Sequence, residues 1–413
     1  MQRWERRLAD LARILAACGS AYFEPELFRQ NTNQFLTTAR TVSFLIQKDK
    51  ATIPDFDHWY DRNVVQSWSK DSVMRWAKDS RNHIEKEGDL DLHSQLWVTL
   101  IFSHLEGDDI ALICDRPQVL EANTKRLIRF AQKSLPTGVS DASVLKMERR
   151  WVANTLATHE LLGALVYIYA RVHEVSSQLA TYLGSTLDDV IPEPNDFDQW
   201  QTDSRHVRFM KLSDRKPASL VGKKIAADPH YVPPPWLVSL VASDKQNYDK
   251  KSLAERVGFF SKMARGTFEQ FGNHVSMLYL FDAGGEVVDN IGTAPADQAE
   301  KFMFWRSVAE RIVYLRATSL IWIAEVWMRG KAHRVDLPIR KMPIIGERLQ
   351  VIGLDQSGDL ESTEWNIVRE DGKPRLVDIT GDVRGGVSKD RLPYFLMPAL
   401  QAFERVRRVG DRS

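Results

Sequence analysis

Three side chains in one short stretch, Asp79–Leu90 (DSRNHIEKEGDL), are of the types that phosphate chemistry uses: Arg81, Asn82 and Lys86. A guanidinium presents five donors in a planar fork that matches phosphate geometry, and an ammonium is a compact point charge. Lysine titrates near ~10.4, so Lys86 needs a shift of about three units to act as a base at neutral pH. Its natural part is a fixed cation facing phosphate. Asn31 and Arg40 add to this set. Both fall beside apolar positions of a predicted helix, near Phe28, Phe35, Leu36 and Phe44, and buried polar groups must find partners. Together with Arg81 they can line an anion-binding cleft or fasten helices to one another. Lys125, Arg126, Arg129 and Lys133 recur at helical spacing as a basic stripe. Such a stripe can follow a phosphate backbone or form a solvated face.

One carboxylate stands out. In SLIWIAEVW, Glu325 shares a strand face with Ile321, Ile323 and Trp327. A carboxylate on an apolar face is paired, protonated or used. Asp282, at the end of another predicted strand, can in principle join it in an acidic, enzyme-type site. No Glu-x-Lys follows, and the structural alternative is an ion pair with Lys331, Arg340 or Lys341. Other motifs are missing. Neither DAGGE (Asp282–Glu286) nor GDVRGG (Gly381–Gly386) has the ending or spacing of a phosphate loop, and both read as turns. There is no Gly-x-Ser-x-Gly elbow and no His-Glu-x-x-His zinc helix. Cys18 and Cys114 form no C-x-x-C pair. No cofactor is expected.

The composition is that of a globular chain. Of 413 residues, 43% are hydrophobic, and 56 Lys+Arg nearly cancel 55 Asp+Glu to a net charge of +1. That balance gives no global reason for nucleic-acid or membrane binding. No run approaches the ~18 apolar residues of a membrane span. The N-terminus lacks the shape of a signal peptide, because Glu5 and Asp10 interrupt it. A cytoplasmic protein without membrane partners is expected.

The elements that must position these residues divide the chain. Apolar spacing predicts helices over Trp4–Ala17 and Pro25–Lys48, a short one over Asp57–Ser67, and another capped by Asp71 that carries Arg81 and stops near Gly88. Leu92–His104 is ambiguous between helix and strand. Pro117–Lys133 reads as a helix, and Asp141–Leu183 as one long helix of about 60 Å. A helix of that length suggests an oligomer contact. Proline-bearing residues 186–240 read as a connection. Val275–Phe281, Glu286–Ile291, Ser319–Trp327, Leu349–Leu354, Thr363–Arg369 and Arg375–Ile379 read as strands, with helices over Ala296–Arg316 and Pro393–Val406. The expected class is α+β: an all-α bundle over 1–185 and a mixed α/β domain over 241–413.

A helical bundle with Arg81-Asn82 on a late helix resembles the HEPN domains, many of which are ribonucleases of toxin and antiphage systems. In that family an Arg, often followed by Asn, works with a His placed after a spacer of four to six residues on the scissile phosphate, in a dimeric cleft. The resemblance covers about the first 185 residues. It implies an RNA- or nucleotide-binding protein and makes Arg81 and Asn82 its site residues. Lys86 occupies the first position at which the family places its histidine, with Glu87 and Gly88 at the next two. The alternatives are a non-catalytic protein that oligomerises through 141–183, and an enzyme centred on Glu325.

Overall fold

The computed structural model describes the chain apart from residues 113–115, 219–229, 231, 245–251, 294, 331–336, 371–372, 380–391 and 411–413. Cys114, Lys331 and the Gly381–Gly386 turn therefore lie outside the described residues. The helices, in chain order, are α1 (Arg3–Ala21), α2 (Pro25–Lys48), α3 (Phe56–Tyr60), α4 (Gln66–Lys70), α5 (Ser72–Lys86), α6 (Pro117–Leu120), α7 (Thr124–Ser134), α8 (Thr137–Ala142), α9 (Leu161–Tyr182), α10 (Pro235–Asp244), α11 (Leu253–Phe271), α12 (Gln298–Leu315) and α13 (Met397–Gly410). The strands are β1 (Leu92–Ile101), β2 (Ile110–Leu112), β3 (Val144–Ala153), β4 (His206–Lys211), β5 (Met277–Phe281), β6 (Val287–Gly292), β7 (Ser319–Arg329), β8 (Ile344–Asp355), β9 (Leu360–Glu370) and β10 (Lys373–Asp378). The fold is α+β, with helices concentrated in the first half and the larger sheet in the second.

Two compact units divide the chain, and neither is one stretch. The first comprises Met1–Thr99, Ala111–Phe130 and Lys146–Arg208; the second comprises Leu100–Ile110, Ala131–Leu145 and Phe209–Ser413. The strands β1 to β4 form a sheet in the order β2-β1-β3-β4. Residues 186–240 include β4 and a 3-10 helix at Pro194–Trp200.

In the first unit, α1, α2, α5 and α9 pack as a bundle. Their apolar residues recur at three- and four-residue spacing. Leu8, Leu11 and Leu15 of α1, Phe28, Phe35, Val42 and Ile46 of α2, and Leu165, Val172 and Leu179 of α9 are all buried. A polar hub fixes the start of α9. Glu160 accepts the Gly163 amide at 2.7 Å, capping the helix, and lies 2.8 Å from the Tyr22 hydroxyl. That hydroxyl accepts the Trp151 amide, and the Trp151 indole donates to the Tyr22 carbonyl at 2.9 Å.

The single helix expected over 141–183, and with it an all-helical first 185 residues, is corrected here. The stretch holds β3, a 3-10 turn and then α9, and Leu92–Ile101 is a strand. Along β3, Leu145, Met147, Arg149 and Trp151 are all fully buried. This two-residue alternation is masked in the sequence because one inward position is an arginine. Arg149 is held there by the Ala122 carbonyl at 2.7 Å. Likewise 117–133 is broken, into α6 and α7.

The second unit is built on a six-stranded sheet in the order β10-β9-β8-β7-β5-β6, whose pairings are antiparallel. Alternate residues of its strands feed two cores. Ile321, Ile323, Leu349 and Val351 pack with Val257, Phe260, Ala264 and Phe268 of α11. Leu320, Ile352 and Leu354 pack with Trp305, Val308 and Ile312 of α12 and with Ala399, Ala402 and Phe403 of α13. The sheet is therefore sandwiched between helical layers. Gly353 permits the close approach of α11, since a Cβ there would meet Val257 at 2.5 Å. The segment after β1 is fastened by Arg306 of α12, which binds Asp109 through both nitrogens of its fork and also donates to the Ser103 and Leu105 carbonyls.

Candidate functional site

The most site-like feature of the first unit is a cavity of about 280 Å³ lined by α2, α5, α9 and the segment between α2 and α5. From α2 come Leu36, Ala39, Arg40 and Gln47, which fall on one helical face. Met74, Arg75, Ala77 and Lys78 of α5 line it in the same way, and Ile168 and Val172 of α9 are one turn apart. The remaining wall is Tyr60, Val64, Val65, Trp68 and Ser69. This wall is locally unusual. Between α3 and α4, Asp61–Val65 winds as a π-helix, a rare form that recurs at functional sites. The Asp71 side chain accepts the Val73 and Met74 amides and so starts α5 at the cavity's edge.

The lining is apolar with a cationic contribution. Ile168, Val172, Val64 and Met74 are buried, whereas Arg75 and Lys78 are exposed. Arg40 is half-buried, donates to the Ser43 hydroxyl at 3.0 Å and lies 4.4 Å over the Phe44 ring. Among the described residues, none of these three cations forms an ion pair with a carboxylate. No carboxylate lines the cavity. Trp68 supplies a buried indole N–H that has no hydrogen-bond partner among the described residues. Gln47 and Tyr60 bond to each other through amide nitrogen and phenol oxygen at 2.6 Å. An apolar cavity with a few convergent polar groups is the usual form of a small-ligand site. Here the charge complementarity is for an anion.

The residues singled out in the sequence are distributed unevenly around this cavity. Arg40 lines it. Arg81 shares Phe44 with Arg40, at 5.5 Å from the ring, but its guanidinium is committed to Glu85 at 2.7 Å and to Asn82 at 3.1 Å. Arg81 and Asn82 thus satisfy each other on the helix surface. Lys86 is exposed at the end of α5, beside the Gly88 stop, whose φ of +127° suits glycine. Asn31 is half-buried, whereas the buried polar residues of that helix are Thr32, Asn33, Thr38 and Ser43. Gln47, Tyr60, Trp68 and Arg75 were not legible as site residues. Their spacing marks helical faces, but it does not show that those faces meet around a cavity.

The basic stripe and the carboxylate lie elsewhere. Lys125, Arg126, Arg129 and Lys133 are all exposed on α7. The first three share a shallow depression with Glu24, Glu26 and Glu121, so the local charge is mixed. Glu325 accepts the His274 amide at 2.5 Å and pairs with Arg369 at 3.3 Å, and Arg369 also holds Glu347 at 2.7 Å. Arg369 is therefore the partner of Glu325. Arg340 is engaged with Asp141 instead. Among the described residues no group of His, Cys, Asp and Glu is arranged to hold a metal ion. Glu325→Gln is expected to cost about 1 kcal/mol or less, because the pair is partly exposed and the amide keeps an acceptor for His274. Urea unfolding measures this, and a loss above about 3 kcal/mol, the scale of a broken buried pair, contradicts it. Cys18 is buried with its thiol pushed up to about 12 by desolvation, which removes it as a nucleophile.

The comparison with known proteins decides the family. The model of bacteriophage lambda protein ea47 matches residues 1–191 and 200–386. The chain belongs to that family. A relative, Protein ea47 of Escherichia phage lambda, is 41% identical over 401 residues, covering 97% of this chain and 96% of the relative. No solved structure matches. Membership in the ea47 family corrects the HEPN-like reading: a different family accounts for nearly the whole chain, including the part that the HEPN resemblance left out. The geometry agrees with the correction, since Arg81 is spent on Glu85 and two ten-residue strands occupy the supposed bundle. The printed name of the ea47 relative states no ligand or reaction, so the chemistry rests on the cavity.

Proposed function

We propose that this protein binds a small anionic ligand with an apolar body in the cavity between α2, α5 and α9. One observation carries the reading: three cations without carboxylate partners, Arg40, Arg75 and Lys78, line a mostly apolar cavity that no acid lines. The apolar body fills the space beside Val64, Ile168 and Val172, and the anion meets the cations. Nucleotides, or the end of an RNA strand, are one class of such ligands. Nothing in this site requires the protein to act on what it binds. A thermal-shift panel of aromatic and aliphatic carboxylates and phosphates tests the proposal. A binder at a hundred times its Kd stabilises the fold by about 2.7 kcal/mol. Arg40→Gln is expected to weaken that binder about tenfold or more, through loss of a charge-assisted hydrogen bond. A panel in which no anion raises the melting temperature refutes the proposal.

A second reading, self-association, has its own observation. Trp236, Leu237, Val238, Leu240, Val241 and Ala242 make α10 apolar around most of its circumference, and although Trp236 packs on Gly266 of α11, none of residues 235–243 is buried. A helix that is hydrophobic all round belongs in an interior. The covering partner in this reading is a second copy of the chain, and the contact lies at α10, not at a helix over 141–183. Light scattering of wild type and Val238→Lys at micromolar concentration checks it. A strict monomer in both removes it. Among the described residues no helix is long and apolar enough to cross a membrane.

A further inference from the structure

We infer that the ligand's apolar body is a nucleobase and that Trp68, Tyr60 and Gln47 read its edge. The inference rests on the ligand-binding reading above and narrows it. A cavity built only to hold an aliphatic chain has no use for buried donors, because each one left unpaired costs about 1–3 kcal/mol. Trp68, one of the residues lining this cavity, nonetheless keeps a buried N–H without a partner among the described residues. It also has the Gln47–Tyr60 pair, joined at 2.6 Å and lining the same space.

The pair is informative whichever way the Gln47 amide is turned. If the amide nitrogen donates to the phenol oxygen, the Tyr60 O–H and the Gln47 carbonyl remain unused. If the phenol donates to the amide oxygen, the amide N–H and the phenol lone pair remain. Either arrangement offers at least one donor and one acceptor side by side. With the Trp68 N–H, the set is at least two donors and one acceptor. A planar heterocycle with alternating ring nitrogens, carbonyls and amines complements such a set, as the edges of the nucleobases do. Arg40, Arg75 and Lys78 then supply the cations for a phosphate attached to the base. Size favours a single nucleotide. About 280 Å³ lies at the small end of ligand sites, too little for a dinucleotide.

Isothermal titration of the full chain tests the inference with AMP, GMP, CMP and UMP against phenyl phosphate, ribose 5-phosphate and hexanoate. At least one nucleotide is expected to bind about tenfold or more tightly than phenyl phosphate, the equivalent of ~1.4 kcal/mol. Trp68→Phe and Gln47→Leu, each first shown to be folded by its circular dichroism and melting temperature, are expected to abolish that preference. Both should leave phenyl phosphate affinity within about twofold, since neither removes a cation. Phenyl phosphate or hexanoate binding as tightly as every nucleotide overturns the nucleobase inference and leaves the anion site standing. Absence of binding by all seven probes overturns both.

Discussion

Arg306→Met will destabilise the second unit by about 3–5 kcal/mol, the usual cost of breaking a buried ion pair from one side. Arg306 is 8% exposed and carries four hydrogen bonds. Two go to Asp109 at 2.7 and 2.6 Å, and the others go to the carbonyls of Ser103 at 2.9 Å and Leu105 at 2.8 Å. Methionine fills most of the volume but satisfies none of these acceptors. The Asp109 carboxylate and two backbone carbonyls then lose their donor together, and this shared loss is what makes the effect large. Methionine is preferred to alanine because it separates lost bonding from a lost side-chain volume. A fair comparison is Arg265→Met. Its partner Glu269 is a surface ion pair at 2.8 Å with both side chains about half exposed, and its removal is expected to cost under about 1 kcal/mol. Urea unfolding of both variants measures the difference. Similar losses in the two proteins contradict the role given to Arg306.

The second large effect is a loss of stability on acidification, centred on His104. This ring is 7% exposed and packs edge-on against Phe302 at 4.8 Å. Burial, with the nearby charges of Arg306 and Lys301, lowers its pKa from 6.5 to about 4. The unfolded chain therefore binds a proton on this ring at a pH where the folded chain does not. The stability that follows is fully present above pH 6.5 and drains away as pH falls from 6.5 to about 4. A shift of this size corresponds to about 3 kcal/mol at ~1.36 kcal/mol per unit. Asp108, held below its ordinary range near 3.8 by the Ser103 and Tyr394 hydroxyls, titrates at lower pH and does not fall within that window. His104→Phe keeps an aromatic ring against Phe302 and removes the titration. Unfolding free energies measured between pH 7.5 and 4.5 should slope for wild type and slope less steeply for His104→Phe, the rest of the slope coming from His173 and His274, whose pKa values burial also lowers. Equal slopes in both proteins contradict the assignment.

Much of the fold was legible because periodicity carries it. The bounds of α2, the Asp71 cap and the β5–β6 turn follow from apolar spacing, capping chemistry and glycine placement. The failures have definite causes. Arg149 hides the alternation of β3, because a fully buried arginine does not look like an inward residue. Tyr60, Val64 and Trp68 stand four residues apart, so counting does place them on one face; what it does not give is that this face borders a cavity with α2, α5 and α9. The site was half legible for a related reason. Arg40 and Arg81 attracted notice as charges near apolar residues, and the difference between them lies in their i,i+4 neighbours, which the reading for an anion cleft passed over. Glu85, one helical turn after Arg81, takes that arginine out of the site and leaves Arg40 available. Glu325 differs, since its partner Arg369 is 44 residues away and meets it only across the sheet.

A crystal structure of the chain grown with the tightest anion of the panel tests the central claim most directly. The account predicts the ligand's ring among Tyr60, Trp68, Val64 and Ile168, with its charged group against Arg40, Arg75 and Lys78. A ligand seated on α7 beside Lys125 and Arg129, with the cavity between α2, α5 and α9 empty, would contradict it.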